Sequence, residues 1–142
     1  MFLIDTNILV YAVSAADKTK RDRARAVLSD LMLRSEAALA LQSCAEFLAA
    51  AALKPGSPLS LQDALRQLRS WERHMILLFP SFETVELAAG GVSRHKLSFW
   101  DAMIWAVALQ HEIPVILTED GPVGSRLRGV RLIDPFQGEY RA

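Results

Sequence analysis

The chain has 142 residues, 51% of them hydrophobic and 23% charged, enough apolar surface for the core of one folded domain spanning residues 1–142. Sixteen basic residues balance sixteen acidic ones, which excludes a protein that holds nucleic acid by a general positive charge, and the single cysteine, Cys44, excludes an internal disulfide. No apolar run reaches the roughly 20 residues of a bilayer-spanning helix and Asp5 breaks the first greasy stretch, so neither anchor nor signal peptide is expected, and a cytoplasmic setting is.

Short apolar runs alternate with longer helical patterns, the signature of an α/β fold with a mainly parallel sheet. Residues 2–5 read as a first strand, followed by helices over 7–14 and 19–34, and residues 37–41 as a second strand. Helices over 42–54 and 60–73 follow, separated by a Lys54-to-Pro58 loop, the latter with Ser60 and Asp63 spaced like a capping box. A third strand at 75–79 ends on Pro80. Helices over 83–93 and 99–112, a buried strand at 114–117 and a last strand at 130–133 complete the pattern. The expectation is a central sheet of four to five strands flanked by helices, with ligands collecting beyond the carboxyl ends of the strands.

Asp5 ends the first strand and Asp120 follows the strand in "PVILTED", so parallel strands bring both acids to one edge. Glu46 stands three, four and seven residues before Ala49, Ala50 and Leu53, which predicts an inward position on an apolar helix stripe. Asp101 lies in the first turn of "FWDAMIWAVAL", in line with Ile104, Trp105 and Ala108. Each acid also has a structural reading. Asp5 could cap a helix, Asp101 could answer the helix dipole, Asp120 could serve a turn before Gly121, and Glu46 could be half of a buried ion pair. As a set they point to a cation, because carboxylates converging on a partly desolvated site repel unless neutralised. Oxygen donors without paired His or Cys suit Mg²⁺ or Mn²⁺, ions that activate water and stabilise charge on phosphodiesters.

The segments "FLIDTNILVYA", "QSCAEFLAA", "LSFWDAMIWAVA" and "VILTEDG" occur in the order and approximate spacing of the PIN domain, and the chain resembles the VapC-type toxin ribonucleases of toxin–antitoxin pairs from Phe2 to about Pro135. The resemblance implies a Mg²⁺- or Mn²⁺-dependent endoribonuclease whose catalytic and metal-holding acids match Asp5, Glu46 and Asp101. For the fourth acid Asp120 is the nearer match and Glu119 remains open, since Gly121 and Pro122 depart from the usual pattern. Thr6 and Asn7 match the small hydroxyl and amide residues that follow the first acid, with the task of orienting Asp5 or hydrogen-bonding a metal-bound water, and Ser98 a hydroxyl that often lies before the third. Arg94, His95 and Lys96, just upstream of Asp101, are candidates to hold a substrate phosphate.

The resemblance also implies an RNA substrate, a cognate antitoxin and a homodimer or toxin–antitoxin hetero-oligomer. Leu28, Leu31 and Met32 of the second helix are open to two roles, lining the antitoxin groove or filling the core. The basic run Lys18, Lys20, Arg21, Arg23 and Arg25 reads either as a solvated face or as an RNA contact. Trp71, Trp100 and Trp105 read as core or interface, with base stacking as the second role for Trp100. Competing functions are a PIN-like nuclease without a toxin role, one acting on single-stranded DNA, and a non-catalytic binding module. A haloacid-dehalogenase-type phosphatase is disfavoured because Asn7 stands where that family places its second Asp.

Overall fold

A computed structural model describes residues 1–141. The elements run β1 (Phe2–Ile4), α1 (Thr6–Val13), α2 (Lys18–Leu33), β2 (Ala37–Ala40), α3 (Leu41–Ala52), α4 (Leu61–Glu72), β3 (Ile76–Leu78), α5 (Phe82–His95), α6 (Phe99–Gln110), β4 (Val115–Leu117), β5 (Arg126–Leu127) and β6 (Val130–Ile133). They form one sheet in the order β3-β2-β1-β4-β6-β5, parallel except for the last pair. The α/β class and the parallel sheet are as the alternation of patterns predicts. The sheet has six strands, however, because a two-residue β5 folds back on β6 through Arg128-Gly129. Both turn residues have positive φ, at 49° and 89°, the backbone of the tight hairpin turns that match strand twist. Two residues carry no alternation, so this strand has no sequence pattern to read.

Successive strand residues face opposite sides, and the core divides accordingly. Phe2, Ile4, Leu39 and Leu117 pack with α1 to α4, while Leu3, Ala38, Ala40 and Ile116 pack with α5 and α6. Helix α6 is buried continuously from Ala102 to Ala108, so it is apolar all round and shows no amphipathic stripe. Leu28 and Leu31 are core residues of α2 and Met32 packs partly buried against them, while Leu28 and Met32 also line an open groove of about 250 Å³ with Arg25, Gln67 and Trp71.

The register fixes what meets at the carboxyl edge. Ile4 lies opposite Leu39 on one side and Leu117 on the other. The Asp5 N–H continues the ladder by donating to the Leu117 carbonyl at 3.0 Å, and that of Thr118 donates to Ile133 at 3.0 Å. Asp5 and Thr118 therefore leave adjacent strands at the same level. Three cations of the α2 run are engaged in structure: Arg23 donates to the carbonyls of Pro135 and Gly138, Arg25 to that of Ala12, and Lys20 pairs with Glu119, while Lys18 lies on the exposed face beside Asp22. No helix among the described residues is long and apolar enough to cross a membrane.

Candidate active site

Asp5 ends β1 and caps α1, its Oδ1 accepting the Thr6 N–H at 2.7 Å. Its other oxygen accepts the Thr118 hydroxyl at 2.8 Å. Thr118 is nearly wholly buried, and the same hydroxyl oxygen accepts from the Asn7 amide at 3.2 Å and the Asp120 N–H at 3.0 Å. Asn7 also donates to Oδ2 of Asp120 at 3.0 Å. One threonine thus joins Asp5, Asn7 and Asp120, three residues brought together from β1, α1 and the loop after β4. Sequence reasoning missed it; the only signal is its place two residues before Asp120 in "LTED".

Asp5, Asp101 and Asp120 line one small cavity, floored by Ile104, Ile116 and Leu132 and walled by Thr118. Asp101 reaches it from the first turn of α6, where the Ser98 hydroxyl accepts its backbone N–H at 3.2 Å. Ser98 therefore acts as the N-cap that sets the position of Asp101. Gly121, at a φ of 72° that favours glycine, turns the loop so closely past Asp101 that an added Cβ would lie 3.6 Å from its Oδ2. The glycine that departs from the usual pattern thus faces the acid directly.

Glu46 joins by another route. The Thr6 hydroxyl donates to its Oε2 at 3.1 Å and the Gln42 amide to its Oε1 at 2.5 Å. Thr6 thereby bridges two acids, with its N–H on Asp5 and its hydroxyl on Glu46. The predicted inward stripe of α3 is wrong: Ser43, Phe47 and Ala51 face the core, whereas Ala49 and Leu53 are exposed and Glu46 is half-buried at their edge. Alanines on every side of α3 make its periodicity ambiguous, and the bulky Phe47 decides which face is buried.

Burial pushes the Asp5 carboxyl up to about 6, and the nearby Asp101 and Glu46 charges add to the rise, against the hydrogen bonds from Thr118 and Thr6 that lower it. Glu119 stands apart. It accepts the Tyr11 hydroxyl at 2.5 Å and pairs with Lys20 at 2.7 Å, while the neighbouring Asp120 lines the acidic cavity.

The upstream cations do not share that cavity. Arg94 and His95 line a separate groove of about 590 Å³ with Glu83, Glu86 and Arg128, and His95 stacks edge-on to Trp105 at 5.4 Å. Lys96 takes a left-handed conformation that ends α5. The helix C-terminus turns these side chains aside before the chain enters α6, which proximity in sequence does not reveal. This groove and others are larger than the acidic cavity, which is the one lined by three aspartates.

The PIN domain pattern matches residues 2–122. The chain belongs to the PIN domain family. Three solved structures share its fold. A toxin–antitoxin complex from Klebsiella pneumoniae is 21% identical at a TM-score of 0.71, covering 95% of this chain and 98% of that one. A sarcin–ricin loop cleaving VapC toxin from Mycobacterium tuberculosis is 17% identical at 0.67, covering 89% and 100%. A VapBC pair from Rickettsia felis bound to a DNA fragment from its promoter is 14% identical at 0.66, covering 92% and 96%. No curated protein sequence matches the chain.

In this PIN domain the donors are all oxygens, the kind a hard divalent cation takes. Among the described residues no three His, Cys, Asp or Glu side chains converge closely enough to hold one ion together. That spacing still fits Mg²⁺, which is bound through one or two carboxylates and keeps several waters. Asp5 and Asp101 lie on one cavity, and a cation there would relieve the repulsion that helps to raise the Asp5 pKa.

Proposed function

We propose that this PIN domain is a Mg²⁺- or Mn²⁺-dependent endoribonuclease, the toxin of a type II toxin–antitoxin pair acting on RNA in the cytoplasm. The observation that carries the reading is the setting of Asp5: a buried carboxyl at the sheet edge, lifted to about 6, with Asp101 and Asp120 on the same cavity and Glu46 tied to it through Thr6. The similar folds include a sarcin–ricin loop cleaving toxin and two toxin–antitoxin assemblies, which supports RNA as substrate and an antitoxin as partner. A homodimer or a toxin–antitoxin hetero-oligomer is the corresponding assembly.

Asp5 and Asp101 would hold the ion, with Glu46 and Asp120 completing its acidic surroundings. Bound there, a divalent cation neutralises the scissile phosphate and lowers the pKa of the attacking water. The chain's own residues do the positioning. Thr118 and the Thr6 N–H fix both oxygens of Asp5, the Thr6 hydroxyl and Gln42 orient Glu46, and Asn7 holds Asp120. A carboxylate of this set accepts the proton of the attacking water, and hydrolysis leaves a 5′-phosphate and a 3′-hydroxyl.

The test is cleavage of a mixed RNA pool by antitoxin-free protein with Mg²⁺ or Mn²⁺, with chelator, and by an Asp101→Asn variant. Cleavage that needs the ion and is lost in the variant supports the ribonuclease. Folded protein that cleaves nothing with either ion counts against it and favours a non-catalytic PIN module, to which the lack of three convergent ligands would also be suited.

A further inference from the structure

Helix α3 presents Ala45 and Ala49 one turn apart to solvent, and the indole of Trp100, 62% exposed, stands across from them. Together with Gln42 and Glu46 they line an open, mostly apolar groove of about 470 Å³. The sequence gives Trp100 a core or interface place alongside Trp71 and Trp105, with base stacking as its second role. Those two are buried, at 5% and 2% exposure, and Trp100 is not. An exposed indole facing small side chains costs hydrophobic free energy unless something covers it.

The groove adjoins the acidic site. Glu46 belongs to its wall, and Trp100 immediately precedes Asp101 in the first turn of α6. Phe99 packs edge-on to the indole at 5.1 Å, and the Gln42 amide, which also bonds Glu46, reaches the Trp100 backbone carbonyl at 3.4 Å. The small alanine side chains and the indole make the apolar part of this lining, and Gln42 and Glu46 the polar part. Beside a site full of carboxylates, the part of a nucleotide such a groove suits is the uncharged base.

We propose that Trp100 and the Ala45–Ala49 face of α3 form a nucleobase-stacking subsite, which takes an unpaired base next to the scissile phosphate of a single-stranded RNA. The proposal rests on the ribonuclease reading and adds to it where substrate is gripped. Stacking on an aromatic side chain accepts any base, so this subsite selects single-stranded, splayed RNA over duplex without reading sequence. It also accounts for binding by a chain with no net positive charge.

The experiment follows tryptophan fluorescence, to which Trp100 contributes the exposed indole and the Trp100→Phe variant supplies the background of Trp71 and Trp105, as hexamers of rA, rC and rU, and an abasic hexamer of the same backbone, are added in the presence of chelator. With metal restored, KM and kcat are measured on cleaved RNA. The expected result is quenching by the base-bearing hexamers and not by the abasic one. In Trp100→Ala, read with labelled hexamers, affinity falls about tenfold or more and KM rises similarly with kcat little changed, while Trp100→Phe retains most of both. Unchanged affinity and KM in a folded Trp100→Ala variant of a protein that cleaves RNA overturns the subsite alone. A variant that loses a co-expressed antitoxin but keeps its affinity for RNA assigns the groove to protein and also overturns it. Wild-type protein that neither cleaves nor binds any RNA overturns the ribonuclease reading, and the subsite with it.

Discussion

The Thr118 hydroxyl donates to Oδ2 of Asp5 at 2.8 Å across two neighbouring parallel strands. It also accepts from Asn7 and from the Asp120 backbone, so its one proton and both lone pairs are in use. The relationship follows from register, since Ile4 and Leu117 lie opposite one another and the next residue of each strand emerges at the same height. A hydroxyl there holds the first acid and the fourth at once.

Thr118→Val keeps the shape and removes the hydroxyl. Asp5 then loses a donor that lowers its pKa, and the Asp120 N–H loses its acceptor on the buried Thr118. Cleavage is expected to fall about 10- to 100-fold, as for other residues that orient a metal ligand, with a stability loss of about 1–2 kcal/mol. Thr118→Ser should recover most of both. Activity unchanged in the valine variant would remove Thr118 from the working site.

Asp5 gives the metal-free protein a characteristic pH dependence. Its pKa is raised on folding, from 3.8 to about 6, chiefly by burial. Below about pH 4 the group is neutral in both states and costs nothing. Above about pH 6 it is ionised in both, so the full penalty is present and stability has fallen across the interval. That rise corresponds to roughly 3 kcal/mol at most. Asp5→Asn removes the titration, although an amide cannot accept from both Thr118 and the Thr6 N–H, which limits the gain. Urea unfolding in chelator should show the variant gaining on wild type between pH 4 and pH 6.5. A pH-independent difference would contradict the raised pKa.

A cation that binds the folded site reverses this penalty. Mg²⁺ or Mn²⁺ at about 100 times its Kd should stabilise the protein at pH 7 by about 2.7 kcal/mol, read as a rise in Tm. The increment should shrink in both Asp5→Asn and Asp101→Asn, because the two acids share one cavity. An equal rise in wild type and both variants would place the ion elsewhere.

The order of strands and helices was legible because buried parallel strands are short apolar runs and the helices between them are long. The meeting of Asp5 and Asp120 was legible because strand ends in such a sheet share an edge. What was not legible has local physical causes. In α3 the alanines outnumber everything else, so helical spacing placed Glu46 inward when Phe47 takes the core. The cations of α2 look free in a sequence, yet Arg23 and Arg25 bond backbone carbonyls far along the chain. Thr6 and Asn7 were expected to orient Asp5 or to hydrogen-bond a metal-bound water, and the Thr6 N–H does reach Asp5. Their side chains instead reach Glu46, Thr118 and Asp120, which only the folded register could disclose.

Adjacent acids in "TED" offer a clean separation of roles. Glu119 is bound to Tyr11 and Lys20, away from the cavity that Asp120 lines. Glu119→Gln should leave metal-dependent cleavage within about twofold of wild type and cost at most about 1 kcal/mol, the range of a partly exposed ion pair. Asp120→Asn should lower cleavage tenfold or more with little change in stability. The reverse pattern would move the fourth acid to Glu119.

Gly90 and Gly91 sit side by side in α5 and should respond oppositely to alanine. Nothing lies within 4 Å of a Cβ built at Gly90, so Gly90→Ala gains the helix preference of alanine, about 1 kcal/mol. At Gly91 the added carbon would lie 2.8 Å from the Trp105 ring. That ring is buried in α6 and tethered by its N–H to the Leu127 carbonyl at 3.1 Å, so it has little freedom to withdraw. The overpacking cost, about 1–3 kcal/mol, then exceeds the helix gain. Urea midpoints should therefore move up for Gly90→Ala and down for Gly91→Ala. Because α6 also carries Asp101, the Gly91 variant should lose cleavage before it loses its fold, whereas equal stabilisation by both would mean that Trp105 yields and the α5–α6 contact does not hold the acid in place.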